Sequence, residues 1–254
     1  MKTYNTRAIV LGVCDYKERD KIISLLTPDQ GRFDVVARGT KRITSKLNGH
    51  LETGNVCEMM IAKGKGYDVL ANAFIHTTHP SSFRENVGAH TAQKLMIEIL
   101  NNLVLIRIPD ASIFELLQNS LAHVHSVCDD VDTDYESLVH VFSVKLLDIL
   151  GYRPELTRCT QCLRGIIAPH AVIDVRAGGL LCSDCAPQKL PEYAHTLSDS
   201  AIKLLLLTLD EHFETLKNYR FGLHEQTEFK KIARQLLTYQ LSKPLLALDA
   251  FKGL

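Results

Sequence analysis

The sequence predicts a multidomain α and β protein: an amino-terminal closed β-barrel of the OB type, then a helical domain interrupted by a four-cysteine metal knuckle. Three observations predict it. Short β-branched runs separated by turn residues recur up to residue 80. Beyond Pro80 the apolar period changes from two to about 3.6. Cys159, Cys162, Cys182 and Cys185 are spaced C-x2-C-x19-C-x2-C. The boundaries that follow are 1–80 for the barrel, 81–157 and 191–254 for the helical domain, and 158–190 for the knuckle.

The strands come in order. Ala8–Val13 is a β-branched run of the kind that fills a buried strand, and Ile22–Leu26 is a second. Pro28-Asp29-Gln30-Gly31 suits a tight turn. Arg32–Arg38 returns with Phe33, Val35 and Ala37 alternating against Asp34 and Val36. Val56–Ala62 and Tyr67–Ile75 form a third pair joined by Lys63-Gly64-Lys65-Gly66. That tip is not a phosphate loop, because no Ser/Thr follows the lysine, and Val69 breaks a GxGxxG reading.

The helices follow. Leu95, Met96, Ile99, Leu100 and Leu103 share one face of a helix over Gln93–Leu103. Ser112-Ile113-Phe114-Glu115 has the form of a capping box that opens a second helix. Phe114, Leu117, Leu121, Val124 and Cys128 form its buried stripe. Tyr135–Leu150 is a third helix that stops at Gly151. After the knuckle, Ser198 caps a helix through Leu216, and Glu225–Leu241 gives the last.

The knuckle is of the zinc-ribbon type. Four thiolates hold zinc at about 2.3 Å in a closed tetrahedron, so the metal organises a fold and leaves no position for a reacting water. One structural Zn2+ per chain is expected. Cys14, Cys57 and Cys128 stand singly in apolar stretches and read as small buried hydrophobes. An odd total of 7 cysteines, four of them committed to metal, argues against a secreted disulfide framework. The amino terminus lacks the apolar core of a signal peptide, and no run approaches the roughly 18 apolar residues that span a bilayer. A cytoplasmic protein with no membrane partner is expected.

A net charge of +0 conceals an asymmetry. Residues 1–80 hold 12 Lys/Arg against 8 Asp/Glu, a net of +4; the remaining 29 − 12 = 17 against 29 − 8 = 21 give −4. Arg32, Arg38, Lys41, Arg42 and Lys46 face only Asp34 within their stretch, and Lys63 and Lys65 lie on the hairpin tip. On a barrel of this type such cations line a groove for a nucleic-acid backbone, and Tyr4, Tyr16, Phe33, Tyr67 and Phe74 offer either stacking faces or core. A merely solvated basic face is the other reading of the charge run. The 11 histidines include His76/His79, His123/His125 and His170, none in HExxH spacing, so a zinc hydrolase or nuclease is not supported.

Leu146-Leu147-Asp148-Ile149-Leu150-Gly151-Tyr152-Arg153-Pro154-Glu155-Leu156 ahead of Cys159, and Gly178-Gly179-Leu180-Leu181-Cys182-Ser183-Asp184-Cys185, resemble the RecO family of bacterial recombination mediators. Val36-Ala37-Arg38-Gly39 followed by Ser45-Lys46-Leu47 is similar to that family's barrel loop. One departure is that glycine often follows the second cysteine directly, whereas Leu163-Arg164 precede Gly165 here.

The resemblance implies a non-enzymatic protein of DNA repair and recombination, cytoplasmic and nucleoid-associated when active. It would bind single- and double-stranded DNA, anneal complementary strands and engage single-strand DNA-binding protein. It would work with RecR, and in some cases RecF, to help load RecA. The acidic, apolar-ended tail of single-strand DNA-binding protein would need a groove rimmed by cations, for instance near Lys230, Lys231 and Arg234. A protein-interaction adaptor that does not bind DNA and an RNA-binding zinc-ribbon protein are the alternatives.

Overall fold

The structure, a computed structural model, describes residues 2–41, 50–77, 79–166, 171–211, 215, 222–241 and 251. It divides into two compact units, Met1–Thr133 and Asp134–Leu254.

In the first unit β1 (Thr3–Tyr16), β2 (Asp20–Thr27), β3 (Gly31–Ala37), β4 (Val56–Ala62) and β5 (Asp68–Thr77) close a barrel in the order β1-β2-β3-β5-β4. Closure depends on β1, whose first half pairs with β4 and whose second half pairs with β2. The register breaks between Val10 and Gly12, where the strand bends from one partner to the other. β3 and β5 complete the ring through a short parallel ladder at Val35–Asp68 and Val36–Val69. Alternation sends Val10, Ile23, Leu25, Phe33, Val35, Met59, Ile61 and Leu70 into one sealed core.

The ladder between β3 and β5 is short, so the start of β3 needs another partner. The chain after the first helix supplies it: Arg32 bridges Ile106 in parallel, and the Arg107 N–H donates to the Arg32 carbonyl at 2.8 Å. Gly31 (φ +66°) makes this approach possible, since a Cβ there would lie 2.1 Å from the Ile108 carbonyl oxygen.

The helices of this unit are α1 (Val87–Leu103) and α2 (Ala111–Ser126). α1 begins six residues before the apolar stripe announced it, because the Asn86 side chain accepts from the Ala89 N–H and caps it there. α2 is capped by Asp110, whose carboxylate takes the N–H groups of Ser112 (2.8 Å) and Ile113 (3.4 Å). The expected Ser112 capping box is therefore corrected: the helix already starts at Ala111, and the Asp110 carboxylate takes its first amides, those of Ser112 and Ile113.

One cysteine also departs from expectation. Cys57 and Cys128 are buried, but Cys14 is exposed. It lies where the β1–β2 hairpin runs beyond the core, and Val13, Cys14 and Asp15 are all exposed, so alternation no longer hides either face.

In the second unit, α3 (Tyr135–Ile149) ends in a Schellman motif. Gly151 (φ +86°) donates to Asp148 and Tyr152 donates to Leu147. α4 (Asp199–Asp210) is capped by Ser198 as the sequence predicts; the expected end at Leu216 lies outside the described residues. α5 (Leu223–Gln240) packs on α3 and α4. Three short strands missed in the sequence, β6 (Val172–Asp174), β7 (Gly179–Leu181) and β8 (Ala194–Thr196), form a sheet in the order β7-β6-β8 around the cysteines. Among the described residues no helix is long and apolar enough to cross a membrane.

Candidate metal centre and basic barrel rim

The sheet positions the cysteine knuckles. β7 delivers Cys182 directly from its end, and the segment before Cys159 runs along the edge of β7. There the Glu155 N–H donates to Gly178, Leu180 donates to Glu155, and Thr160 donates to Leu180. Gly179 permits that contact, because a Cβ would sit 2.3 Å from the Glu155 carbonyl oxygen. Both knuckles close as tight turns: Leu163 N–H donates to Cys159, and Cys185 and Ala186 both donate to the Cys182 carbonyl.

The result brings together all four predicted ligands, with the Sγ atoms of Cys159, Cys162, Cys182 and Cys185 within 4.8 Å of one another. Cys162 Sγ and Cys182 Sγ, from opposite knuckles, are 3.7 Å apart. A tetrahedron with metal–sulfur bonds of about 2.3 Å has edges of about 3.8 Å, so the set fits such an ion. All four are free thiols with no disulfide.

The electrostatics suit a cation. Burial pushes the Cys159 thiol up, but the backbone N–H groups of Cys162, Cys182 and Gln161 outweigh it and bring it to about 6. The Arg164 guanidinium, 3.4 Å from Cys162 Sγ, holds that thiol below its ordinary value. The neighbouring Cys182 thiol, together with burial, pushes Cys185 up to about 12. Four thiols this close cannot all ionise without a positive ion among them. Arg164 also pairs with Asp184 at 2.8 Å and so ties the two knuckles together outside the sulfur shell.

The departure at the first knuckle has a visible consequence. Leu163 sits at φ +61°, the left-handed conformation that glycine adopts without strain. The turn is thus kept and the strain falls on a leucine, while Arg164 becomes available to Cys162.

The predicted basic residues separate into three groups. Arg38 and Lys65 are exposed. Three others are engaged within the barrel unit. Lys41 pairs with Asp15 at 3.1 Å and donates to the Lys17 carbonyl. Lys63 lies 3.5 Å from the buried Asp68 carboxylate. Arg32 donates to Asn101 Oδ1 at 3.0 Å and to its carbonyl, closing the end of α1. Arg42 and Lys46 lie outside the described residues.

The hairpin tip between β1 and β2 is tied to the end of β3. Gly39 N–H donates to Asp20 Oδ1 at 2.8 Å, and Lys41 N–H donates to the Arg19 carbonyl. Lys17 and Arg19, exposed on that tip, therefore join Arg38 on one rim. Sequence reasoning missed them because Asp15, Glu18 and Asp20 interleave with them and neutralise the run. Of the aromatics, Phe33 is core, Tyr4 packs against the core, and Tyr67 and Phe74 are exposed. In the second unit Lys230 is held 2.8 Å from Asp134 and 2.9 Å from Glu136, so it joins α5 to the start of α3 and is not available to rim a groove. Lys231 is exposed. Among the described residues no histidine joins a metal-ligating group.

Comparison with known proteins agrees with this architecture. The family model for the recombination protein O N terminal matches residues 1–78, and that for the recombination protein O C terminal matches residues 84–249. The DNA repair protein RecO of Cutibacterium acnes is 30% identical over 210 residues, covering 82% of this chain and 83% of the relative. That of Dehalococcoides mccartyi strain 195 is 26% identical over 240 residues (94% and 91%), and that of Bacillus pumilus is 29% identical over 237 (92% and 86%). With one family model over the barrel and the other over residues 84–249, the chain belongs to the recombination protein O (RecO) family.

Proposed function

We propose that this protein is a cytoplasmic, non-enzymatic mediator of DNA repair and recombination whose amino-terminal barrel is an OB fold that binds single- and double-stranded DNA. It anneals complementary strands, engages single-strand DNA-binding protein, and acts with RecR, and with RecF where present, to help load RecA. Annealing two polyanions requires their repulsion to be neutralised while the pairing edges of the bases stay open, and a surface whose cations meet the backbone does this. The observation that carries the reading is a closed five-stranded barrel with Arg38, Lys17 and Arg19 exposed on one rim and Lys65 exposed on the β4–β5 loop, which Tyr67 joins to the same hairpin tip through Tyr16. Lys41 and Lys63 supply further charge from paired positions, Arg32 organises α1, and Arg42 and Lys46 belong to the same basic stretch.

The cysteine set holds one structural Zn2+ per chain. Four sulfur donors at tetrahedral spacing favour zinc and saturate it, so the ion supports the fold and contributes no chemistry on DNA. An electrophoretic shift of a labelled oligonucleotide by the isolated protein tests the reading. Binding to DNA without any partner supports it. No shift at low salt would favour the adaptor, and a clear preference for RNA of equal length would favour the RNA-binding alternative.

A further inference from the structure

We propose that Tyr67, backed by Tyr16, is a stacking platform for unpaired bases, so that this chain holds a single strand more tightly than a duplex of the same length. The inference rests on the nucleic-acid reading above and assigns the strand selectivity of that site.

Tyr67 is 49% exposed at the end of the loop before β5. Its backbone is fixed from below. The Asp68 carboxylate is buried and accepts from the Gly64 N–H at 3.1 Å, while Lys63 and Arg107 balance its charge at 3.5 and 3.6 Å. A Cβ at Gly64 would lie 1.9 Å from the Tyr67 carbonyl oxygen, so the loop folds this tightly only with glycine there. The platform is thus held in place before any ligand arrives, which limits the entropy lost on binding.

The ring meets Tyr16 edge-on, with centroids 6.1 Å apart and planes at 63°. That contact joins the β4–β5 loop to the β1–β2 hairpin tip. Lys17, at φ +51°, brings its Nζ to 5.1 Å from the Tyr16 ring centroid. Aromatic surface and exposed cations therefore occupy the same rim. Phosphates are offered alike by single strands and duplexes, whereas a duplex keeps its base faces covered by neighbouring bases. Arg38 and Lys65 consequently serve both forms, and only the tyrosine surface distinguishes them.

The test uses the full chain and oligonucleotides containing 2-aminopurine, whose fluorescence reports stacking, as single strand and as duplex. Tyr67→Ala is expected to weaken single-strand binding about tenfold, to change duplex binding less than twofold, and to abolish the stacking signal. Tyr67→Phe should match the wild type, and Arg38→Ala should weaken both forms alike. Tyr67→Leu keeps an apolar contact with Tyr16 and should behave as Tyr67→Ala, which separates loss of the π face from loss of loop stability. If Tyr67→Ala leaves single-strand binding unchanged, or weakens both forms equally, the platform is overturned while the DNA-binding reading stands. If the wild type binds neither form, that reading itself fails.

Discussion

The Lys63 ammonium lies 3.5 Å from the Asp68 carboxylate, and Asp68 is almost wholly buried. The two are neighbours across a glycine-bearing loop in a barrel where every other buried strand position is apolar or a hydroxyl. Arg107 provides a second cation 3.6 Å from the same oxygen, and the Gly64 N–H satisfies the other oxygen. A lysine that the glycine-bearing hairpin tip offers as a phosphate contact is thus first a counter-ion.

Removing the carboxylate should therefore cost more than removing either cation. Asp68→Ala strips the partner from the half-buried Gly64 N–H and leaves two cations facing each other, and should destabilise the barrel by about 2 kcal/mol. Lys63→Ala should cost about 1 kcal/mol or less, since Arg107 remains and the ammonium is half exposed. Urea denaturation of the two variants gives the order. The same Lys63→Ala change should weaken DNA binding less than Arg38→Ala does.

The left-handed Leu163 makes a prediction of opposite sign. Leu163→Gly relieves backbone strain at φ +61° and removes an exposed leucine, so it should raise stability by about 1 kcal/mol. Thermal melting of metal-loaded protein checks it, and a lower melting temperature would show that the side chain packs usefully.

Metal removal should unfold the second unit locally. One zinc per chain is expected by elemental analysis, and Cys159→Ser, which opens the most buried ligand position, should lose it. Melting temperature should fall by several degrees in that variant and in chelator-treated protein, since metal binding is coupled to folding at such sites. Undiminished melting would remove the structural role.

Acid should act on a histidine cluster in the first unit. Burial, with the neighbouring His79 and His90 adding repulsion, lowers His125 from 6.5 to about 4, and burial lowers His79 as well. His125 Nε2 meets Gln93 Oε1 at 2.9 Å, and its ring stacks edge-on with His79 and Phe83. The unfolded chain binds protons that the folded cluster refuses. Stability is therefore full above pH 6.5 and falls as pH drops toward 4, by about 1–2 kcal/mol after allowing for solvent beside the ring. Urea midpoints across that range should decline in wild type and flatten in His125→Gln.

Much of this was legible in the sequence, for physical reasons that differ by element. Val10, Leu25 and Val35 announce buried strands because side chains alternate at period two, and the four cysteines announce a metal site because their reach to one ion fixes their spacing. Charge roles were less legible. Arg32 and Asn101 are far apart in the chain, so nothing local marks the arginine as a helix-end partner. Lys17 and Arg19 were hidden by interleaved acids whose side chains the hairpin turns to other tasks: Asp15 to Lys41 and Asp20 to Gly39. The strands β6 to β8 are three residues each, too short for any periodicity to show.

The most direct test is strand annealing by the purified wild-type protein, followed with complementary fluorescent oligonucleotides over a salt series. Annealing should be accelerated at low salt, and DNA binding should fall with log–log slope of about −3 to −4 on single strands, as expected for four to six phosphate contacts. Annealing no faster than the spontaneous rate in low-salt buffer would contradict the account.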